Sequence, residues 1–165
     1  MRIKGYRIDK HNYYLDIAET VLERSTCLRR NYGAVIVKND EIVATGYNGA
    51  PRGRANCSDI GHCTREELQI PSGERYELCR SVHAEQNAII SSSRADLLDS
   101  TLYLSGKEAK TGNYIKGTTP CEMCKRFIIN AGIKQIVIRD DKKHFRVINT
   151  NEYIENDDTV SGVLV

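Results

Sequence analysis

Between His11 and Arg24 the apolar residues Tyr14, Ile17, Ala18, Val21 and Leu22 lie three or four apart along one stripe, which predicts an amphipathic helix. The pattern then changes. "GAVIVKNDEIVATGYNG" predicts a hairpin with arms Ala34–Lys38 and Ile42–Gly46 and a tight turn at Asn39-Asp40. From about residue 48 to about residue 80 no period holds, and this stretch carries two of the three prolines, three cysteines and His62. An irregular stretch of that length inside a compact domain is uncommon and tends to carry function. A short helix over Thr64–Gln69 is expected to interrupt it. "VHAEQNAIISSSRA" predicts a second helix, "TLYLSG" a strand and "GKEAKTGNYIKGTT" a polar loop. "CEMCKRFIINAG" predicts a third helix stopped by Gly132, and "KQIVIR" another strand. The tail after Asp140 is polar and mixed, with "SGVLV" as a last edge strand. Helices alternating with the later strands predict a parallel portion of sheet after an antiparallel hairpin.

Length and composition narrow the class. The 165 residues suit a single domain spanning 1–165, with an irregular insert at about 48–80 and a loop insert at about 106–119. Hydrophobic residues make up 40% and charged residues 28%, an ordinary balance for a soluble domain. The net charge of +2, from 24 basic and 22 acidic residues, gives no reason to expect a nucleic-acid partner. No apolar run approaches the ~20 residues of a membrane span. The first residues, "MRIKGYRIDK", have no apolar core of a signal peptide, so the expected location is the cytoplasm. In that compartment six cysteines point to metal ligands or reactive thiols rather than to disulfides.

Two constellations carry chemistry. One is His83-Ala84-Glu85; the other is Pro120-Cys121-Glu122-Met123-Cys124. Both open a predicted helix, where unpaired backbone N–H groups and partial positive charge favour thiolate over thiol. Cysteines three apart share one face of the first turn, so Cys121 and Cys124 can reach one ion with His83. Zinc takes about four ligands, and a catalytic zinc leaves one position to water. Glu85, two residues from a ligand, can then serve that water as proton acceptor and donor. Singly, each part has a plainer explanation. His83 could be a packed or capping histidine, the CxxC a redox pair or half of a structural zinc site, and Glu85 a surface charge. Together, H-x-E followed by P-C-x-x-C is the pattern of the zinc-dependent nucleobase deaminases.

"STCLRRNYGAVIVKNDEIVATGYNGAPRG", "LCRSVHAEQNAI" and "TTPCEMCKRFIINAGIKQIVI" resemble the deoxycytidylate (dCMP) deaminases of the cytidine deaminase superfamily over about residues 13–139. The zinc motifs belong to the whole superfamily, whereas "STCLRR" and "GYNGxPRG" point to the dCMP branch. The resemblance implies a three-layer α/β/α sandwich around a mixed, about five-stranded sheet. It implies zinc-dependent hydrolysis of dCMP to dUMP and ammonia, feeding thymidylate synthesis, with Glu85 as the proton shuttle. It also places Asn48 on the sugar, the Ala84 backbone N–H on the base carbonyl, and the Thr119 carbonyl on the amino group. Asn-Gly is at the same time a strong turn signal. For the 5′-phosphate, or for an effector, the arginines around "STC" and after the GYNG turn are the expected contacts: Arg24, Arg29, Arg30, Arg52 and Arg54. Arginine suits phosphate because its fork donates two parallel hydrogen bonds. Members of the family form hexamers in which dCTP activates and dTTP inhibits, with Mg2+ on the triphosphate. Some hold a second, structural zinc, for which a closed set of four donors is expected from among Cys27, Cys57, His62, Cys63 and Cys79.

The chain departs from the family pattern in two places. "GKEAKTGNYIKGTT" is longer than the family's connection and is expected near the pocket mouth, as a lid, a substrate determinant or a subunit contact. After "KQIVI" the usual tyrosine, helix and strand give way to "RDDKKHFRVINTNEYIENDD". Rival readings are a deaminase of another base or nucleotide (a modified cytosine nucleotide, a riboflavin-pathway pyrimidine or a tRNA adenosine) and a non-catalytic zinc module. The last would fill the fourth coordination position and leave Glu85 without a purpose.

Overall fold

The computed structural model describes residues 5–157, so the expected strand "SGVLV" lies outside the described residues. Helix α1 (Lys10–Leu22) is followed by β1 (Arg30–Lys38), β2 (Glu41–Tyr47), α2 (Cys57–Ile60) and α3 (Thr64–Glu67). A 3₁₀ turn (Tyr76–Leu78) precedes α4 (Ala84–Ile90), α5 (Arg94–Leu97), β3 (Thr101–Glu108) and α6 (Glu122–Ala131). The chain then forms β4 (Gln135–Arg139), β5 (Phe145–Asn149) and α7 (Thr150–Glu155). The five strands make one mixed sheet in the order β2-β1-β3-β4-β5. Only the β3–β4 pair is parallel.

The period of two in the central strands sorts their side chains onto two faces. Val35, Val37, Tyr103 and Val137 turn to α1 and pack on Tyr14, Leu15 and Ala18. Ala34, Ile36, Leu102, Leu104, Ile136 and Ile138 turn the other way, onto Ala84, Ala88, Leu97, Ile128 and Ala131. Helices therefore cover both faces, and the central strands read as nearly continuous apolar runs. This is the three-layer sandwich that the resemblance implies.

Two glycines set how closely the layers approach. A Cβ at Gly33 would lie 2.1 Å from the Ala18 carbonyl oxygen, and one at Gly46 would lie 2.3 Å from that of Ala84. The second contact seats the start of α4 directly on β2. Asn39 and Asp40 both take positive φ, 51° and 65°, as a two-residue turn matched to strand twist requires.

Three departures from the sequence reading have physical reasons. The second helix breaks at Ser91–Ser93 into α4 and α5, because the Ser93 hydroxyl accepts from the Asp96 N–H and caps a new helix. Strand β3 runs on through Glu108, pairing with β1 as far as Arg30, so much of "GKEAKTGNYIKGTT" is an outgrowth of the sheet. Lys107 bridges Tyr114 there, the Ala109 N–H donates to the Arg29 carbonyl at 2.9 Å, and Ile115 is buried. After β4 the chain turns back at once as the antiparallel β5, pairing Arg139 with Phe145.

Candidate active site

His83 and Cys121 are each the N-cap of a helix, α4 and α6, in extended backbone. Both helices lie on the same face of the sheet. Gly49 and Val82 exchange backbone hydrogen bonds of 3.2 and 2.8 Å, which brings the residue before His83 beside the end of β2. The His83 N–H donates to Gln86 Oε1 at 2.9 Å and closes the first turn of α4.

These placements bring Nδ1 of His83 to 3.5 Å from Cys121 Sγ and 3.3 Å from Cys124 Sγ. All three donor atoms lie within 4.8 Å of one another, and among the described residues they form the one such set of histidine, cysteine and carboxylate donors. The set fits zinc. With Zn–S of ~2.3 Å and Zn–N of ~2.0–2.1 Å, tetrahedral angles put nitrogen and sulfur about 3.6 Å apart. The donor types, one imidazole and two thiols, are also those zinc prefers.

The charge distribution follows from burial and from the helix ends. A hydrogen bond from Cys124 holds the Cys121 thiol down at about 4, with His83 adding to the effect against the opposing cost of burial. Cys124 is pushed up, first by that same hydrogen bond and then by burial. For His83 burial favours the neutral ring, but the bond to Cys121 and the Glu85 charge outweigh it and raise its pKa. Glu85 has a buried side chain, and burial raises its carboxyl above the usual range.

A cavity of about 110 Å³ opens on this group. His83, Ala84, Glu85, Cys121, Thr119 and Asn48 line it, as do Arg29, Arg30 and Arg65 and the thiols Cys27, Cys63 and Cys79. Tyr32 and Tyr76 form aromatic walls. The Asn48 carboxamide is held from three sides. Its Oδ1 accepts from Ser25 Oγ at 2.6 Å and from the Tyr32 N–H at 2.8 Å, and its Nδ2 donates to the Arg30 carbonyl at 2.8 Å. One Nδ2 hydrogen remains for a ligand.

Residues 8–139 match the family model of the cytidine and deoxycytidylate deaminase zinc-binding region. The chain belongs to this family. It is 33% identical over 134 residues to a deoxycytidylate deaminase of Schizosaccharomyces pombe, covering 80% of this chain and 37% of that protein. It is 37% identical over 136 residues to the deoxycytidylate deaminase of Mycobacterium phage D29, covering 79% of this chain and 94% of that one. Among solved structures it is similar to the dCMP deaminase of cyanophage S-TIM5 in complex with dCMP and dUMP. The TM-score there is 0.56 at 27% identity, over 82% of this chain and 85% of that one. The chain thus spans 94% and 85% of these two phage relatives and little more than a third of the fission-yeast one.

Within this deaminase-family chain the remaining expected residues divide. Arg29 and Arg30 reach the cavity, each also paired with a carboxylate: Arg29 with Glu66 at 3.2 Å and Arg30 with Glu108 at 3.4 Å. Arg24, Arg52 and Arg54 are exposed and do not line it. Cys27, Cys57, Cys63 and Cys79 are free thiols lining a second, much smaller cavity of about 10 Å³ next to the first. No three of their sulfurs meet the 4.8 Å spacing of the His83 set. His62 is exposed and stands 3.6 Å from Glu67. The sequence reading missed Tyr32, Arg65, Ser72, Tyr76 and Ser81. Most of these come from the aperiodic stretch before α4, where neither spacing nor residue type distinguishes a cavity wall from a surface loop. No helix among the described residues is long and apolar enough to cross a membrane.

Proposed function

We propose that this chain hydrolyses dCMP to dUMP and ammonia. The observation that carries the reading is a set of three zinc-type donors, two of which line one cavity together with arginines and a buried carboxylate two residues from the first donor. His83, Cys121 and Cys124 would hold the zinc, and three protein donors are the number found at catalytic zinc sites. When bound there, zinc supplies a Lewis acid that acidifies the attacking water. Glu85 takes one proton from that water and passes it to N3 of the cytosine, then takes the second and passes it to the departing amine. The C4–N bond breaks and a C4–O bond forms; one of the water's protons stays on N3 of the product and the other leaves on ammonia. Ala84, at the start of α4, presents its N–H to the base carbonyl, Thr119 its carbonyl to the amino group, and Asn48 its remaining amide hydrogen to the sugar. Arg29 and Arg30 meet the 5′-phosphate.

A second zinc clip by Cys27, Cys57, Cys63 and Cys79 is part of the same proposal. Its support is that all four line one small cavity, and that burial and then the neighbouring cysteines raise the Cys57 thiol. A cytoplasmic oligomer regulated by dCTP and dTTP, with Mg2+ on the triphosphate, completes the reading by likeness to the family.

The test is ammonia release across bases, nucleosides and mono- to triphosphates. We expect turnover of dCMP with little from deoxycytidine or cytidine. Turnover of a free base or nucleoside in preference to dCMP would overturn the substrate. Metal analysis of the purified chain is expected to give about two zinc ions. One ion, with Cys57→Ser folding normally, would remove the clip.

A further inference from the structure

Arg65 is the one cavity-lining arginine with a buried side chain, and it comes from α3, far in sequence from the zinc motifs. Among the described residues no carboxylate pairs with it. One of its terminal nitrogens, Nη2, donates to two carbonyls, Pro71 at 2.9 Å and Glu74 at 2.7 Å. Its Nε is buried without a partner. Its guanidinium carbon lies 4.6 Å from the centre of the Tyr76 ring. Burying a guanidinium on carbonyls and an aromatic face is an expensive way to fill space.

What it holds is a strained segment. Gly73 and Arg75 both take positive φ, 88° and 51°, and for Arg75 that conformation persists only where its surroundings enforce it. The segment ends in Tyr76, whose ring meets the His83 ring edge-on, with centroids 4.9 Å apart and planes at 86°. His83 points Nδ1 at the two thiols, and among the described residues no hydrogen bond is made to its Nε2. Ligating histidines are ordinarily oriented through their second nitrogen, and loss of that support costs ~10–100-fold in metal affinity or activity. Here the neighbour against the ring is the aromatic ring of Tyr76.

We propose that Arg65 is a positioning residue for the metal centre. It clamps the Pro71–Glu74 turn and stacks on Tyr76, and Tyr76 fixes the plane of the His83 imidazole. Arg65 acts through Tyr76 without itself touching metal or substrate. The inference rests on the zinc reading above but not on the identity of the substrate.

The experiment measures zinc affinity by chelator competition and the visible absorption of the cobalt(II)-loaded protein, which reports how imidazole and thiolates are arranged around the ion. Arg65→Met and Tyr76→Leu are each expected to weaken zinc binding about 10–100-fold and to shift the cobalt bands. Tyr76→Phe, which keeps the ring, is expected to match the unaltered chain. Arg65→Lys, which keeps a cation over the ring but not the fork, is expected to recover part of the loss. The Arg65→Met, Tyr76→Leu double variant is expected to be no worse than the weaker single one, since both act on one contact. Unaltered zinc affinity and cobalt spectrum in Arg65→Met would overturn the proposal, as would additive losses in the double variant. If Arg65→Met does not fold, the same spectra of Tyr76→Leu and Arg65→Lys decide. Failure of the unaltered protein to deaminate dCMP would instead count against the proposed function and leave this measurement standing.

Discussion

Asn48 carries a structural demand in the fold, and the proposed function adds a second. Its carboxamide stands in for a backbone partner, accepting the Tyr32 N–H and donating to the Arg30 carbonyl where β1 and β2 part. In doing so it fixes the backbone of Arg30 and Tyr32, both of which line the cavity. Asn48→Ala would leave a half-buried N–H and a half-buried carbonyl without this partner, a loss of up to about 1–3 kcal/mol for each such group. Urea unfolding of the variant is expected to show a fall in stability as well as a rise in KM; unchanged stability would mean that the asparagine serves only the ligand. At this scale the sequence was most legible where chemistry and capping coincide. His83, Glu85, Cys121 and Cys124 could be named because residue type and spacing converge on them. Arg65 and Tyr76 could not, because their significance lies in a tertiary stack between residues eleven positions apart in aperiodic chain.

At the scale of elements, the site depends on how α4 is seated. The hydrophobic pattern predicted the helix and the hairpin beneath it, but not that Gly46 lets them touch. A methyl at that position would meet backbone atoms of Ala84 and Ala88 at 2.3 and 2.4 Å, and backbone cannot swing aside as a flexible side chain can. Gly46→Ala is therefore expected to displace the first turn of α4, with His83 and Glu85 on it. Overpacking of this kind costs about 1–3 kcal/mol. Thermal unfolding and zinc content are expected to fall together, whereas a drop in stability with full zinc occupancy would show that the helix can shift without moving its cap. The polar patterns after Asp140 gave no comparable signal. In β5 the side chains are exposed or half-buried, so no apolar alternation marks it as a strand. The short α7 is set by its capping asparagine, Asn149, rather than by an apolar stripe.

Across the whole molecule, the layer opposite the active site is fastened by charge. Arg139, fully buried on β4, reaches Asp16 at 2.6 Å and Glu19 at 3.1 Å on α1, and Lys107 and Lys142 converge on the same Glu19 carboxylate. Burial opposes the charge on Glu19, but hydrogen bonds from Tyr114, Lys107 and Lys142 outweigh it and hold the carboxyl below its ordinary pKa. A lowered folded-state pKa contributes stability that is present above the ordinary carboxylate range and is lost as pH falls through the folded value. Glu19→Gln is accordingly expected to be less stable than the unaltered chain at neutral pH, with the gap closing on acidification. A gap that stayed constant with pH in denaturant titrations would assign the difference to packing. Tyr114 belongs to the long loop after β3, so this loop is tied to α1 as well as to the cavity rim at Thr119. The order of elements made the parallel portion of the sheet legible, and the family resemblance implied the three layers. The fastening was not, because it joins α1, β3, β4 and their loops across more than a hundred residues of chain.

The central claim is that a buried carboxylate works beside a three-donor metal centre, and the most direct measurement compares dCMP turnover by the zinc-loaded chain and its Glu85→Gln variant. The account predicts that the variant folds, keeps its zinc, and loses turnover by at least about 10²–10⁴-fold, the scale of a positioned proton shuttle. A fully zinc-loaded Glu85→Gln protein that converts dCMP to dUMP at the unaltered rate would contradict it.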